Sequence, residues 1–182
     1  MNREEALNLL KKYNQSEALI NHGKAVEAVM RAFAKHYDED EKYWGNVGLL
    51  HDLDYEKWPD QHCKKTEELL KEENVDEKFI RAVCSHGWKL CTDIEPKLQM
   101  EKVLYTIDEL CGLINATALM RPTKMEGMGV KSVKKKFKTA SFAAGVNRSV
   151  ITEGAQLMNM ELPQVMEISI KAMAEVASEI GL

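Results

Sequence analysis

Apolar residues recur three and four positions apart along almost the whole chain, and no stretch alternates apolar with polar residues over strand length. This spacing predicts an all-α fold. Residues 3–13 read as a short opening helix; after Asn14-Gln15-Ser16 a long helix runs to about Tyr37, with Val26, Val29, Met30 and Phe33 on its inner face. A third helix starts near Glu41 and ends in the run Val47-Gly48-Leu49-Leu50-His51-Asp52. Trp58-Pro59-Asp60 caps a fourth, which carries residues 62–71, because Pro59 suits a first helical turn. Asp76 can N-cap a fifth helix that runs to Ser85, with Gly87 placed as a left-handed stop after His86. The longest and most apolar pattern covers about 98–120 and is closed by Arg121-Pro122, since proline disfavours helix at the residue before it. A glycine-containing loop at 126–129, a lysine-rich helix, a turn near Gly145 and two further helices complete the chain. No repeat, low-complexity tract or linker interrupts it, so one domain over 1–182 is expected.

The polar residues that fall on apolar faces change this picture from a plain bundle to one with chemistry. His22 shares a stripe with Val26, Val29 and Phe33, at offsets of four, seven and eleven. His86 stands seven residues after Phe79 and three after Val83, and His51 and His62 also fall in register with apolar neighbours. His36, beside Tyr37-Asp38-Glu39-Asp40 at a helix end, is expected to be exposed. Asp108 is the clearest case, with Leu104, Cys111, Asn115 and Ala118 around it at offsets of minus four, three, seven and ten. A buried ionised carboxylate without partners costs several kcal/mol, so such an aspartate has to be paired, protonated or coordinated. Any one of these residues alone is more often a hydrogen-bonded core histidine or a capping aspartate. Four histidines and an aspartate all directed inward point instead to a metal site with open positions. His51 and Asp52 are about 100° apart on a helix, so both reach one ion only where that helix ends at a cavity.

Composition narrows the class. The chain has 182 residues, 45% hydrophobic and 30% charged, with a net charge of -4, which gives no global field for a polyanion; no nucleic-acid partner is expected. No apolar run approaches the roughly 20 residues of a spanning helix, and MNREEALNLLKK has no signal-peptide apolar block, so a cytoplasmic protein without a membrane partner is expected. Cys63, Cys84, Cys91 and Cys111 are spread without a CxxC pair, which argues for reduced, structural thiols. Ile168, Ile170, Met173, Val176 and Ile180 suit either core or the seam of a homo-oligomer.

Asn21-His22, Leu49-Leu50-His51-Asp52, His62, Ser85-His86 and Ile107-Asp108, in that order, resemble the HD-domain phosphohydrolase superfamily, and residues 130–148 are similar to a small group of predicted HD hydrolases. The resemblance implies a compact HD helical bundle with a metal-binding core at about 18–120 and a C-terminal helical subregion at about 125–182. It implies His22, His51, Asp52 and Asp108 as ligands of a primary divalent ion. In two-metal members His62 and His86 would take a second ion, with Asp52 bridging; in a one-metal site they would contact the substrate phosphate instead. Iron, manganese, cobalt, nickel and zinc all suit such ligands. The implied activity is metal-dependent hydrolysis of a phosphate ester, on a small phosphorylated metabolite or nucleotide, with Asp52 holding the ions and His86 and Asp54 as candidates for proton handling. The alternatives are a non-catalytic metal- or ligand-binding regulatory module and the di-iron oxygenase chemistry of some HD relatives. One departure stands out: the HDIG subgroup continues with Ile-Gly-Lys, whereas this chain reads Leu53-Asp54-Tyr55-Glu56-Lys57, which removes support for a phosphate contact by Lys57 and puts Asp54 at the cleft edge, as an acceptor behind the ligands or as a base.

Five lysines, Lys131, Lys134, Lys135, Lys136 and Lys138, precede Phe142 and Arg148. They form either a solvated helix face or a lid in which Lys135, Lys136 and Arg148 contact the phosphorylated substrate. Arg121 either faces the cleft or compensates its helix dipole. Trp44, Trp58 and Trp88 either wall the pocket or pack in the core.

Overall fold

The three-and-four spacing becomes nine α-helices and no strand in the computed structural model, which describes residues 1–182. In chain order they are α1 (Arg3–Tyr13), α2 (Glu17–His36), α3 (Glu41–Leu49), α4 (Lys64–Glu72), α5 (Glu77–Ser85), α6 (Gln99–Leu119), α7 (Val130–Phe137), α8 (Arg148–Leu157) and α9 (Leu162–Glu175). Short polar side chains start several of them by accepting from the free N–H groups of the first turn. Asp40 accepts from Lys42 and Tyr43, Asp76 from Phe79, and Asn147 from Ser149 and Val150.

Helix α2 is the spine: Val26, Val29, Met30 and Phe33 are completely buried, each contributing about 1.5–3 kcal/mol relative to an exposed side chain. It packs against α3, α6 and α9. The approach of α3 depends on Gly48, where an added Cβ would lie 2.8 Å from Met30 Cγ and 3.0 Å from the Val26 carbonyl oxygen. That contact brings the end of α3, and with it His51, beside His22. The buried apolar residues form one cluster from Ala6 to Ile180. Ile170, Met173 and Ile180 are inside it and Ile168 and Val176 pack on it, so the C-terminal apolar stripe is spent on the core. No helix is long and apolar enough to cross a membrane.

Three details differ from the sequence pattern. Helix α3 stops at Leu49, which leaves His51 and Asp52 in the turns beyond it. Pro59 starts a separate 3-10 turn, Pro59–Gln61, and α4 begins only at Lys64 after Cys63, whose φ of 66° breaks the helical path; His62 therefore precedes α4. Gly87 is not left-handed. Its lack of a side chain serves space, because a Cβ there would sit 2.4 Å from Cys91 Sγ and 2.8 Å from Cys63 Sγ.

Candidate metal centre

Five elements bring the polar residues to one place. His22 comes from the middle of α2, His51 and Asp52 from the turns after α3, His62 from the break before α4, His86 from the C-terminal end of α5, and Asp108 from the middle of α6. Their ligand atoms form two groups, His22-His51-Asp52-Asp108 and Asp52-His62-His86, in each of which all atoms lie within 4.8 Å of one another.

Asp52 belongs to both groups through different oxygens. Its Oδ2 lies 3.3 Å from His51 Nε2 and 3.9 Å from His22 Nε2; its Oδ1 lies 3.5 Å from His62 Nε2 and 3.6 Å from His86 Nε2. Asp108 Oδ1 completes the first group, 2.9 Å from His22 Nε2 and 3.3 Å from His51 Nε2.

Three of the imidazoles are fixed from behind. His51 Nδ1 donates to the Gly48 carbonyl at 2.8 Å, His86 Nδ1 to the Val83 carbonyl at 2.5 Å, and His62 Nδ1 to Asp54 Oδ1 at 2.7 Å. Because those oxygens accept, each Nδ1 carries the hydrogen and each neutral ring presents a bare Nε2 lone pair to the centre. The result is electrostatically incomplete. His51 Nε2 is buried with no hydrogen-bond partner, facing two carboxylate oxygens, and His62 Nε2 meets His86 Nε2 at 3.0 Å. Lone pairs set against lone pairs and carboxylates repel unless a cation lies between them. The donor set of imidazoles and carboxylates, each anchored by an outer hydrogen bond, fits a divalent metal ion.

The titration behaviour says the same. Burial alone would push His51 down, but Asp52 and Asp108 outweigh it and hold its pKa well above the ordinary value. Burial likewise lowers His62, and the hydrogen bond to Asp54 with the charge of Asp52 more than reverses this. Against the opposing effect of burial, His51 and its neighbouring imidazoles hold Asp52 and Asp108 well below the usual carboxylate range. A positive charge is called for at this point, from protons or from an ion.

In front of the groups lies a cavity of 410 Å³ whose wall includes His22, Asp52, His62, His86 and Asp108, together with Tyr55, Leu90, Cys91 and Glu109. None of the last four was a site candidate in the sequence, where Cys91 reads as a structural thiol. Tyr55 and Leu90 are 46% and 55% exposed, an apolar rim whose position follows from loop paths rather than from any helical period. Glu109 accepts from the Asn147 N–H at 2.9 Å, and burial raises its pKa.

Several expected site residues lie elsewhere. Asp54 is fully buried rather than at the cleft edge: one oxygen holds His62 and the other accepts from the Thr66 N–H at 2.8 Å, so it positions a ligand and is not placed to reach substrate. Arg148 is not on the cavity wall; its guanidinium donates to the carbonyls of Phe137, Thr139, Phe142, Ala143 and Val146 and so fastens the segment after α7. Lys135 and Lys136 are absent from the cavity wall; Lys136 Nζ lies 4.4 Å over the Phe142 ring. Lys57 donates to the Lys12 carbonyl, and Arg121 to the Glu126 carbonyl. Trp44, Trp58 and Trp88 pack on Tyr37, Tyr13 and Tyr105, away from the cavity wall.

Searched against known protein families and solved structures, the chain matches no family model and no solved structure.

Proposed function

We propose that this chain is a metal-dependent hydrolase of the HD-domain kind, which cleaves a phosphate ester on a small phosphorylated metabolite or nucleotide. The observation that carries this reading is the division of Asp52, with Oδ2 among His22, His51 and Asp108 and Oδ1 between His62 and His86, at the floor of an open cavity. His22, His51, Asp52 and Asp108 would hold one divalent ion, and Asp52, His62 and His86 a second. When bound, the ions would lower the pKa of a water and neutralise charge on the phosphoryl oxygens.

The chain's own residues do the rest. Asp108 and the anchored rings of His51, His62 and His86 hold the centre rigid, so it does not reorganise as charge develops. No lysine or arginine lines the cavity, so the substrate's charge is met by the centre alone. This favours a single phosphoryl group over a polyphosphate, whose extra charges would face Glu109 without a counter-ion. Tyr55 and Leu90 offer an apolar surface for the organic part of the ester. His86, on the cavity wall, is the group for proton handling when it is not engaged by a second ion.

Element-specific metal analysis of wild type and Asp52→Ala, paired with phosphate release from a panel of phosphomonoesters, tests the reading. About two ions per chain, lost in the variant together with metal-dependent phosphate release, is the expected result. A wild type that stays empty after exposure to iron, manganese, cobalt, nickel and zinc overturns it, as does a variant that keeps metal-dependent turnover. Ions without phosphate release, but with oxygen consumption in the presence of iron, would assign the centre to oxygenase chemistry; ligand binding with neither reaction would make it a regulatory module.

A further inference from the structure

Three of the four cysteines, far apart in sequence, meet beside the second group of ligands. Cys63 directly follows His62, Cys84 lies in the last turn of α5, and Cys91 belongs to the loop after His86. Cys91 Sγ is 3.5 Å from Cys63 Sγ, and Cys84 Sγ donates to the Cys63 carbonyl at 3.5 Å. Gly87 makes room for the two sulfurs, since any Cβ there would collide with both. It also fixes the loop that brings Cys91 in: its carbonyl accepts from the N–H groups of Leu90, Cys91 and Thr92 at 2.9, 2.8 and 3.1 Å. Cys91 is exposed and lines the cavity, whereas Cys63 is buried behind it. A soluble oxidant therefore reaches one sulfur while the second waits within contact distance, the arrangement of an attacking and a resolving thiol.

A soft-metal site is the competing use of these atoms, because His62, Cys63 and Cys91 also offer ligand atoms within 4.8 Å of one another. It lacks a free third ligand. His62 Nδ1 is bonded to Asp54, and His62 Nε2 faces His86 and Asp52, so a thiolate site would have to take the ring from the centre already described. Cys84 points at a carbonyl rather than at the other two sulfurs. Two thiols facing each other without a third ligand are arranged for a bond between them.

We propose that Cys63 and Cys91 form a reversible disulfide in the cavity wall, and that its formation displaces His62. With a hydroperoxide as oxidant, the Cys91 sulfur attacks the terminal oxygen, the O–O bond breaks, and a sulfenic acid and an alcohol or water result. The Cys63 sulfur then displaces water from that sulfenic acid. In sum two thiols give up two protons and two electrons, the peroxide is reduced, and a dithiol reverses the bridge by exchange. The sulfurs must close from 3.5 Å to about 2.05 Å. The Cys91 backbone is held by the Gly87 carbonyl and the Cys63 carbonyl by the Glu67 N–H, so the two side chains turn toward each other and the turn that carries Cys63 shifts with its neighbour His62. The bridge itself does not depend on the function proposed above; the loss of a ligand does.

The test treats the whole protein with hydrogen peroxide, counts free thiols, maps cross-linked peptides before and after dithiothreitol, and measures bound metal on the same samples. The expected result is loss of two of the four thiols, one bridge joining Cys63 to Cys91, reversal by dithiothreitol, and fewer ions per chain in the oxidised form. Cys91→Ser abolishes the bridge and keeps the ions, while Cys111→Ser leaves both behaviours unchanged. Cys91 recovered as sulfinic acid, or bridged to Cys84, overturns the proposal. So does a thiol pair that is shielded by added zinc and holds that zinc in Asp52→Ala, which would assign the pair to soft-metal binding. A bridge that leaves the ion content of an occupied centre unchanged overturns the displacement of His62. Because the thiol map does not require a bound ion, a wild type that forms the bridge but never binds an ion overturns the hydrolase reading and the loss of a ligand, and leaves the bridge standing.

Discussion

The turns between α2 and α6 and the segment from α7 to α8 both concentrate charged and polar residues, yet they use them in opposite ways. In the first region each of three imidazoles spends one nitrogen on a neighbouring oxygen and turns the other to a shared point with Asp52 and Asp108. In the second, the donors are used up locally: Arg148 serves five carbonyls, and four of the five lysines are exposed on α7 and the residue after it. A high density of charge in sequence therefore does not make a site. A site arises where polar atoms remain unsatisfied after local bonding and converge, as His51 Nε2 does, because only an external cation or ligand then completes them.

The comparison is tested most severely at Asp54, which belongs to the first region without touching the cavity. Asp54→Ala leaves the Thr66 N–H buried without an acceptor and frees the His62 ring to rotate. We expect the second ion to bind about 10- to 100-fold more weakly, as for other residues that orient a metal ligand, and the fold to lose about 1–3 kcal/mol. Metal titration followed by thermal unfolding reads both. Undiminished affinity for both ions would show that His62 does not need its anchor.

Acid should empty the centre well before it unfolds the carboxylates' surroundings. His51 and His62 have raised pKa values, so a proton stays on each to higher pH than usual and an ion has to displace it. Asp52 and Asp108 are shifted down and stay ionised throughout mildly acidic solution. Metal affinity thus rises with pH through the imidazole range and falls on acidification, by about tenfold per pH unit for each proton displaced. A calorimetric titration between pH 8 and pH 5 that gave a flat affinity would remove His51 and His62 from the ligand set.

How much of this was legible in the sequence depends on the range over which each feature is determined. The start of α5 was, because Asp76 acts on an N–H group three residues away. So was the inward direction of His22 and Asp108, which follows from the period of one long helix each. His62 was misplaced onto a helix face because nothing local announces the left-handed backbone at Cys63 that separates it from α4. Asp54 read as a residue of the cleft edge, since its burial depends on α4 closing over it through Thr66. The meeting of Cys63 with Cys91 is less visible still: it requires three separate segments to converge and a side chain to be missing at Gly87.

Arg148 offers a smaller effect of a different kind. Arg148→Ala removes a guanidinium that holds the segment after α7 against α8, and the released carbonyls must find water. We expect a loss of about 2 kcal/mol in chemical denaturation, with kcat per folded molecule little changed. If KM instead rises severalfold while stability stays constant, the segment is a substrate contact and the contrast between the two regions narrows.

The lysines should matter least of all. Lys135 and Lys136 are not in the cavity wall, and Lys136 gains only its contact with the Phe142 ring. A cation over an aromatic face near the surface contributes about 0.5–1 kcal/mol, and charge on a solvated helix face acts mainly through solubility. Lys135→Ala with Lys136→Ala should therefore leave KM for a phosphomonoester within about twofold and metal content unchanged, with at most a small fall in thermal stability. The salt dependence of KM separates the alternatives. A lid that closes on phosphate would make wild-type KM rise with ionic strength and the double variant insensitive to it. Equal salt dependence in both proteins would leave phosphate recognition entirely to the centre around Asp52.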